Sequence, residues 1–356
     1  MRNHHVRLRA LETANPTWYV PQAEAFKHYD TNFNLGETER ELYKRLLLDS
    51  AVEGRYIGMD NIDQVKETNP DELNKRYLKF GREITVKAVR QALDQANIDP
   101  GEVGGLVVNS CTGYLCPGLS SYILEDVGLP TNIQYVDIMG MGCGAALPNL
   151  STASGIVACN TEKPILSVAV EICTATLFMG EDPGLIVSNS IFGDGASAAV
   201  LVSDSTVETN SDDIVLLDYE SGLFPKYRTD LQYITEDHRL RNVLGKRVPV
   251  IGAKTIKEVA NRLLERNGLS KDQISRWAVH PGGTSVLEGV QRSLKLKDND
   301  LSHSYHVFKH FGNMSSPSVM FVLKHILEND RPNPGEYGLL LAFGAGFSAF
   351  AVLVRF

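Results

Sequence analysis

The chain has 356 residues, of which 43% are hydrophobic and 22% are charged, and its formal net charge is −8. This length can bury an ample core as one large domain or two fused medium ones, and the composition is ordinary for a globular protein. The negative charge argues against nucleic acid or an anionic membrane as the main partner. No apolar run reaches the length of a membrane span, and no signal peptide is recognised between Met1 and Tyr19.

All five cysteines fall between Cys111 and Cys173. An odd number within so short a segment does not resemble a secreted disulfide framework. Zinc is the other ordinary use of clustered cysteines, but Cys111 and Cys116 have neither a second pair nor a histidine cluster beside them. We therefore expect reduced thiols in a cytoplasmic protein, with no metal site and no cofactor.

Apolar runs rich in β-branched residues alternate with helical patterns along most of the chain. The predicted strands are Gly105–Asn109, Gln134–Ile138, Ile165–Val170, Ser197–Val202, Trp277–Val279, Tyr305–Phe308, Gly338–Ala342 and Phe350–Val354. Continuous apolar strands are typical of sheets that are buried on both faces. Glu83–Gln95 and Lys254–Arg266 carry apolar residues at helical spacing. This alternation predicts a layered α/β fold.

Two similar segments close the two halves of the chain. Gly193 begins GDGASAAVLV and Gly344 begins GAGFSAFAVLV, each a glycine turn that leads into an apolar strand. Chance similarity of two buried strands is the alternative, but we interpret the similarity of the two segments as evidence of a duplicated α/β unit. The polar stretch Ser203–Asp213 suits the connection, so the predicted halves are residues 1–205 and 206–356.

Each predicted half carries a polar residue at a strand-to-helix turn. The strand Gln134–Ile138 leads through glycines to Cys143, and Trp277–Val279 leads directly to His280. Helical patterns follow both turns. We therefore predict that the cysteine and the histidine occupy matching turns, which face each other if a pseudo-twofold axis relates the halves.

Cys143 is the candidate nucleophile because Gly142 and Gly144 permit a tight turn around it. The predicted helix start after this turn supplies free N–H groups and partial positive charge, which stabilise a thiolate. Packing as a small buried hydrophobe is the common alternative for a cysteine. We assign that packing or pocket-lining role to the remaining four, which are Cys111, Cys116, Cys159 and Cys173.

Two polar residues in the second half have candidate roles beside a thiolate. His280, in WAVHPGG, can pair with the thiolate or donate to an oxyanion, although a purely structural role is the alternative. Asn313, in HFGNMSSPSV, either caps the predicted helix Val319–Ile326 or presents a neutral donor to a thioester carbonyl.

Together these motifs resemble the thiolase superfamily and, within it, the type III polyketide synthases, the chalcone synthase-like enzymes. The resemblance covers nearly the whole chain. It rests on MGMGCGAALPNL around Cys143, IFGDGASAA at Ile191–Ala199, VHPGG at His280 and FGNMSSPSV at Asn313. The spacing of 33 residues between His280 and Asn313 is also that of the family. The implied fold is thiolase-like, with two α/β halves forming a layered α-β-α-β-α core.

The resemblance implies iterative decarboxylative condensation of malonyl-CoA onto an acyl-CoA starter, followed by cyclisation. In that chemistry Cys143 carries the acyl chain, while His280 and Asn313 hold the malonyl thioester. The alternative is a ketoacyl synthase III-like enzyme that condenses once on malonyl-carrier protein, but VHPGG with GNMSS separates the chain from that branch. A non-catalytic scaffold is disfavoured because all three residues are present.

Further residues of the site follow from the resemblance alone. Phe192 matches the gatekeeper of the active-site chamber, and the C-terminal segment FGAGFSAFAVL matches a loop that shapes it. Chamber-lining positions are Cys111, Cys116, Cys173, Thr176 and Ser315. Cys116 matches a residue that reaches into the partner subunit, which implies a homodimer. Since none of these side chains is bulky, we expect an aliphatic starter of medium or long chain and a small pyrone or resorcinol-type product.

The chain departs from the plant enzymes at several motif positions. Ala145–Ala146 replaces a glycine pair after the nucleophile and Ala345 replaces a proline, so we expect a bacterial-type enzyme without plant phenylpropanoid specificity. Lys44 and Arg45 match a basic CoA-contacting helix, although Asp49 stands at its third basic position. A solvated helix face is the alternative for both cations.

Overall fold

The structure is a computed structural model, and it describes residues 5–159, 162–204, 210 and 212–356. The strands in those ranges are β1 (Val6–Ala14), β2 (Trp18–Pro21), β3 (Gly54–Ile57), β4 (Gly105–Ser110), β5 (Gln134–Met139), β6 (Ile165–Ile172), β7 (Asp194–Ser203), β8 (Ile214–Leu223), β9 (Leu231–Glu236), β10 (Arg239–Leu244), β11 (Ile274–Val279), β12 (Tyr337–Gly344) and β13 (Ser348–Arg355). The α-helices are α1 (Gln22–Asn32), α2 (Glu37–Leu48), α3 (Pro70–Ala96), α4 (Leu119–Val127), α5 (Ala146–Cys159), α6 (Pro183–Ile191), α7 (Val248–Arg266), α8 (Thr284–Leu294), α9 (Ser302–Phe311) and α10 (Ser318–Asn329).

Nine strands form one hydrogen-bonded sheet in the order β11-β12-β13-β8-β1-β7-β6-β4-β5. The run β4, β6, β7, β1 repeats as β11, β12, β13, β8 with the same sequence of parallel and antiparallel pairings. The two runs meet where β1 and β8 pair antiparallel through Val6, Arg7 and Leu8. This strand order has the symmetry that a duplicated unit requires. The predicted boundary at 205/206 and most of the predicted connection lie outside the described residues.

Three hydrophobic clusters arrange the helices in layers around the sheet. Alternate side chains of a strand point to opposite faces, and an irregularity between Leu8 and Ala10 of β1 shifts this alternation by one residue. Leu8 and Leu11 therefore pack with α5 and α10, whereas Ala10 and Ala14 pack with α3. Strands of both runs contact α5 and α10, and α7 with α8 covers the outer face of the second run. The resulting order of layers is the predicted α-β-α-β-α. Among the described residues no helix is long and apolar enough to cross a membrane.

Two of the predicted strands differ from the structure. Tyr305–Phe308 lies inside helix α9, where His303, Ser304, Val307 and Phe308 are buried at helical spacing, so the strand prediction is wrong. The short apolar run resembled a strand because helix and strand periodicities cannot be distinguished over four residues. Gln134–Ile138 does form β5, but this is the exposed edge strand of the sheet and is not buried on both faces.

The prediction that Cys143 and His280 occupy matching turns is also wrong. In the repeated strand order, the counterpart of β11 is β4, so the turn that carries His280 corresponds to the turn that carries Cys111. Cys143 precedes α5, whose counterpart in the middle layer is α10, and the residues before α10 include Asn313. The cysteine and the asparagine are therefore the related pair by topology.

Candidate active site

The predicted nucleophile lies in a short 3-10 turn, Gly142–Gly144, between β5 and α5. The end of β12 packs directly against this turn. A Cβ placed on Gly344 would lie 2.2 Å from the carbonyl oxygen of Met141 and 3.2 Å from the backbone nitrogen of Cys143. Only glycine permits so close an approach. The C-terminal glycine segment therefore shapes the surroundings of Cys143, as the resemblance implied.

Ser315 connects the cysteine to the asparagine. Its hydroxyl donates to Sγ of Cys143 at 3.4 Å, and its backbone N–H donates to Oδ1 of Asn313 at 2.8 Å. The N-cap of α10 is Pro317, so Asn313 does not cap that helix and the capping alternative is not supported. The NH₂ group of Asn313 makes no hydrogen bond within the described part of the chain, which leaves it available as a donor.

The predicted gatekeeper is tied to the same turn by backbone hydrogen bonds. Phe192 ends helix α6 and forms an isolated parallel bridge with Asn313. The N–H of Asn313 donates to the carbonyl of Ile191 at 2.8 Å, and the N–H of Gly193 donates to the carbonyl of Asn313 at 3.0 Å. Phe192 and Asn313 are therefore held in a fixed relation to each other.

His280 lies at the end of β11 in an apolar environment. Its backbone N–H donates to the carbonyl of Leu341 at 2.8 Å, and its ring packs edge-on against Phe343 with centroids 5.9 Å apart. The side chain is buried, and Nδ1 has no hydrogen-bond partner among the described residues. Burial lowers the pKa of His280 to about 3, so the resting imidazole is neutral.

Burial also dominates the ionisation of the nucleophile. It raises the pKa of Cys143 to about 12, and the hydrogen bond from Ser315 opposes this increase only in part. The expected stabilisation of the thiolate by the helix start is thus outweighed by desolvation. The resting centre consists of a neutral thiol and a neutral imidazole.

A buried glutamate that the sequence reasoning missed organises the hydroxyl groups beside Cys143. Glu171 of β6 is fully buried, and burial raises its pKa. Its carboxyl group accepts hydrogen bonds from the N–H of Cys111 at 2.9 Å and from the hydroxyls of Thr112 and Ser316 at 2.8 and 2.7 Å. A longer contact of 3.5 Å joins it to Ser315. The available signal was a single carboxyl group within the apolar run ILSVAVEI.

Three predicted chamber residues line one small cavity of about 50 Å³, namely Cys173, Thr176 and Phe192. The remaining lining is mixed, because aliphatic side chains such as Ile57 and Leu185 alternate with polar ones such as Arg55 and Asn189. Tyr233 of β9 also lines it, and its hydroxyl lies 3.3 Å from Oγ1 of Thr176. The predicted chamber-lining residues Cys173 and Thr176 are small, but Tyr233 adds a bulky side chain that the sequence analysis did not include. Tyr233 was missed because β9 is distant in sequence from every motif.

A second, larger cavity of about 600 Å³ leads toward the histidine. Gly282 lines it, and a Cβ on Gly282 would lie 3.4 Å from Nε2 of His280. Arg45, Asp49 and Lys246 also line this cavity, together with the first residues of α6, α7 and α8. Lys44 does not line it; its ammonium lies 3.9 Å from the carboxylate of Glu41 on the exposed face of α2.

Cys116 lies apart from both cavities, in the exposed loop that follows β4. Four exposed apolar side chains lie in this loop and on the edge strand β5: Tyr114, Tyr135, Val136 and Met139. Tyr114 and Met139 line the same depression, so the loop and the strand form one apolar face. This chain alone does not place Cys116 in the chamber.

Comparison with known proteins agrees with this geometry. The FAE1/Type III polyketide synthase-like family matches residues 12–219, and the C-terminal domain of chalcone and stilbene synthases matches residues 222–356. The chain is 30% identical to a 3,5-dihydroxyphenylacetyl-CoA synthase of Streptomyces toyocaensis, over 90% of this chain and 84% of that protein. It is 27% identical to an alpha-pyrone synthesis polyketide synthase-like protein of Mycobacterium tuberculosis, over 97% of this chain and 90% of that protein.

The fold is shared with solved structures at lower identity. The crystal structure of PKS-I from the brown alga Ectocarpus siliculosus superposes with a TM-score of 0.91 at 24% identity, covering 100% of this chain and 99% of that one. These matches do not favour the ketoacyl synthase III-like alternative. The chain belongs to the type III polyketide synthase family and is a carbon–carbon bond-forming acyltransferase with a thiolase-like fold.

Proposed function

We propose that this enzyme performs iterative decarboxylative condensation of malonyl-CoA onto an acyl-CoA starter, with Cys143, His280 and Asn313 as its catalytic residues. The observation that carries the proposal is the position of Ser315, which hydrogen-bonds the half-buried thiol of Cys143 and the amide oxygen of the buried Asn313. A neutral His280 lies beside Gly282, which lines the large cavity, as a substrate-facing proton acceptor requires.

In the loading step, Cys143 attacks the carbonyl carbon of the starter thioester. His280 accepts the thiol proton, because transfer to the neutral imidazole creates two opposite charges in a site where burial penalises either charge alone. The bond from Sγ to the acyl carbon forms while the bond from that carbon to the CoA sulfur breaks. The proton on His280 then passes to the departing CoA thiolate.

In the extension step, malonyl-CoA occupies the large cavity and loses carbon dioxide. The electron pair of the breaking carbon–carbon bond moves onto the thioester as an enolate. The free NH₂ group of Asn313 and a ring N–H of His280 donate to its oxygen. Loss of one such donor costs about 2.7–4 kcal/mol of barrier in related oxyanion sites. The enolate carbon then attacks the acyl group on Cys143, and the lengthened chain returns to the cysteine for another round.

The large cavity is the proposed CoA site. Arg45 lies on one wall, and Lys246, which the sequence reasoning missed, lies on another. At the start of α8, the backbone N–H groups of Thr284 and Ser285, which line this cavity, donate to no residue that the structure describes, so they add positive potential for phosphate. These groups account for CoA binding by an acidic protein in which Asp49 replaces a basic residue.

The small cavity is the proposed acyl pocket. The aliphatic part of its lining supports an aliphatic starter, but about 50 Å³ beside Tyr233 holds only a short part of a chain. A medium or long starter therefore requires movement of the Tyr233 side chain. The product belongs to the pyrone or resorcinol class in this proposal, in keeping with relatives named as an alpha-pyrone synthase-like protein and a 3,5-dihydroxyphenylacetyl-CoA synthase.

A homodimer in the cytoplasm completes the proposal. The apolar face on the edge strand β5 and the adjoining loop provides a surface for a second copy, and Cys116 in that loop would then approach the partner. A reducing compartment fits the chemistry because Cys143 must remain a free thiol, and none of the five cysteines is paired.

Mass spectrometry of the products formed from malonyl-CoA and a panel of acyl-CoAs tests the overall reaction. The proposal predicts pyrones or resorcinols after several extensions.

Asn313→Ala tests the residue roles. This variant should still form acyl-Cys143 but release carbon dioxide from malonyl-CoA about 100-fold more slowly. Equal loss of loading and decarboxylation would contradict the assignment of Asn313 to the enolate step. A single uncyclised extension product would contradict the iterative reaction.

A further inference from the structure

The mouth of the large cavity is bordered by exposed apolar side chains. Val250, in the first turn of α7, is 74% exposed, and Leu48, in the last turn of α2, is 44% exposed. Their neighbours Pro249 and Asp49 line the cavity itself. Single exposed aliphatic side chains are ordinary on a protein surface, so Val250 matters here because it also lines a charged groove beside the cavity.

A basic groove of about 450 Å³ continues outward from this mouth between α7 and α8. Pro249 and Ser285 line both the groove and the large cavity, so the two are contiguous. The charged residues that line the groove are all basic: Lys254, Lys257 and Arg292. Neither lysine makes an ion pair with any residue that the structure describes, whereas Arg292 contacts Glu288 at 3.6 Å.

This concentration of cations is unusual for a chain whose formal net charge is −8. The lysines lie outside the cavity that contains Arg45 and Lys246, in a groove of its own on the exposed surfaces of two helices. A groove with basic walls and an apolar rim is complementary to an acidic helix that bears apolar side chains. Because the groove lies at the mouth of the large cavity, a partner bound there must pass its reactive group into the cavity to reach Cys143.

We propose that the surface formed by Val250, Lys254, Lys257 and Arg292 docks an acidic acyl carrier protein, which delivers starter acyl groups through the large cavity. An acyl carrier protein fits the groove because it is acidic. Its acyl group can also enter the cavity, because a flexible phosphopantetheine arm carries it. The inference extends the proposed function, since it rests on Cys143 as the acyl acceptor. Malonyl extension units still arrive as CoA esters.

The transfer is a thioester exchange that balances without another reactant. Cys143 attacks the acyl carbon, the bond from that carbon to the phosphopantetheine sulfur breaks, and His280 passes the cysteine proton to the departing thiolate. The chemistry is identical to loading from acyl-CoA. Only the docking surface distinguishes the two donors, and it contacts the carrier alone.

The test compares two octanoyl donors, octanoyl-CoA and an acidic bacterial acyl carrier protein loaded with octanoyl-phosphopantetheine. Acylation of Cys143 is followed by intact mass. The double variant Lys254→Glu/Lys257→Glu should lower kcat/KM for the carrier by about tenfold or more and change that for octanoyl-CoA by less than about twofold. Val250→Asp should act in the same direction. Higher ionic strength should slow the carrier reaction of the wild type more than that of the double variant, because salt screens the groove cations that the variant lacks.

The matched control is Lys27→Glu/Lys87→Glu, which makes the same change in net charge at exposed positions outside both the groove and the large cavity. It should leave both donors unaffected. Acylation by octanoyl-CoA but not by the carrier, or equal losses with both donors in the groove variant, would overturn the docking proposal. Failure of both donors to acylate the wild-type protein would instead overturn the proposed function on which it rests.

Discussion

The two sides of the catalytic centre differ in polarity and in access. The thiol side consists of Cys111, Glu171 and Ser315 around Cys143, together with the small cavity of about 50 Å³ beside Tyr233, and it is polar and hydrogen-bonded. The imidazole side, consisting of His280, Phe343 and Gly282, is apolar around the ring and opens to the large cavity. Both begin at the ends of topologically equivalent strands, β4 and β11.

The difference shows how related frameworks come to hold different chemistry. At the end of β4, Cys111 contacts a buried carboxyl group, whereas at the end of β11 the ring of His280 contacts Phe343. An apolar environment keeps the imidazole neutral, so that it can accept a proton. The polar network instead orients hydroxyl groups toward the sulfur. We therefore expect the thiol side to control acyl chemistry and chain length, and the imidazole side to control proton transfer and CoA binding.

The largest effect is expected at the residue between the two sides. Cys143→Ala should lower condensation by more than about 1,000-fold, since removal of a nucleophile leaves only binding and polarisation. The melting temperature should stay close to that of the wild type, because the side chain fills little volume at a turn. Cys159→Ala, at the exposed end of α5, is the matched control and should retain full turnover. Product formation by the folded Cys143 variant would refute the assignment.

The role of the imidazole side in proton transfer predicts a change in pH dependence. In the wild type, transfer of the proton from Cys143 to His280 releases no proton to solvent, so the fraction of thiolate does not depend on pH. The rate of alkylation by iodoacetamide should therefore vary little between about pH 6 and 8. In His280→Gln the buried thiol ionises alone with a pKa raised by burial. Its thiolate fraction, and with it the alkylation rate, should then rise about tenfold per pH unit. Parallel pH profiles for the two proteins would show that His280 does not accept this proton.

The polar network of the thiol side should contribute to both stability and acyl transfer. Glu171→Gln replaces one of two acceptor oxygens by a donor that faces other donors, which should destabilise the fold by about 1–3 kcal/mol. Urea denaturation measures this change. Glu83→Gln, at an exposed position of α3, is the control and should alter stability by less than about 0.5 kcal/mol. Equal stability of the two variants would mean that the network is dispensable.

Chain length should depend on the thiol side alone. Tyr233→Ala should enlarge the small cavity and shift preference toward longer starters, since each added buried methylene contributes about 0.8 kcal/mol. Thr176→Leu or Cys111→Phe should shift it toward shorter ones without loss of malonyl decarboxylation. Competitive turnover of acyl-CoAs from acetyl to tetradecanoyl measures the profile. An unchanged profile in all variants, or a wild-type preference for aromatic starters, would exclude the aliphatic pocket.

The smallest effect is expected on the imidazole side, at the mouth of the large cavity. Arg45→Ala should raise KM for malonyl-CoA by roughly three- to tenfold, whereas Lys44→Ala should change it less than about twofold, because exposed cations away from the ligand contribute little. Malonyl-pantetheine, which lacks the nucleotide phosphates, should not distinguish the two variants. Similar effects at both positions would mean that α2 acts only through its net charge.

The candidate residues of the site could be predicted to a large extent from the sequence. Glycines around Cys143, a strand leading into His280 and a glycine before Asn313 are local signals, and turn chemistry is local. Most strands of the sheet were also predictable, because long apolar runs of β-branched residues leave few alternatives. Such turns and strands are determined by the local sequence and depend little on the rest of the fold.

Only the tertiary structure decided which side chains surround the nucleophile. Tyr233 and Lys246 belong to segments far from the motifs, and Glu171 lies in an apolar run without a motif of its own. Each has a role only because the fold brings it to the centre or to a cavity wall. The exposure of β5 and the helical state of Tyr305–Phe308 were decided in the same way, by the neighbours against which each segment packs. The pKa of Cys143 has the same origin: a helix start favours the thiolate locally, but desolvation depends on every atom packed around the sulfur, which no local sequence pattern encodes.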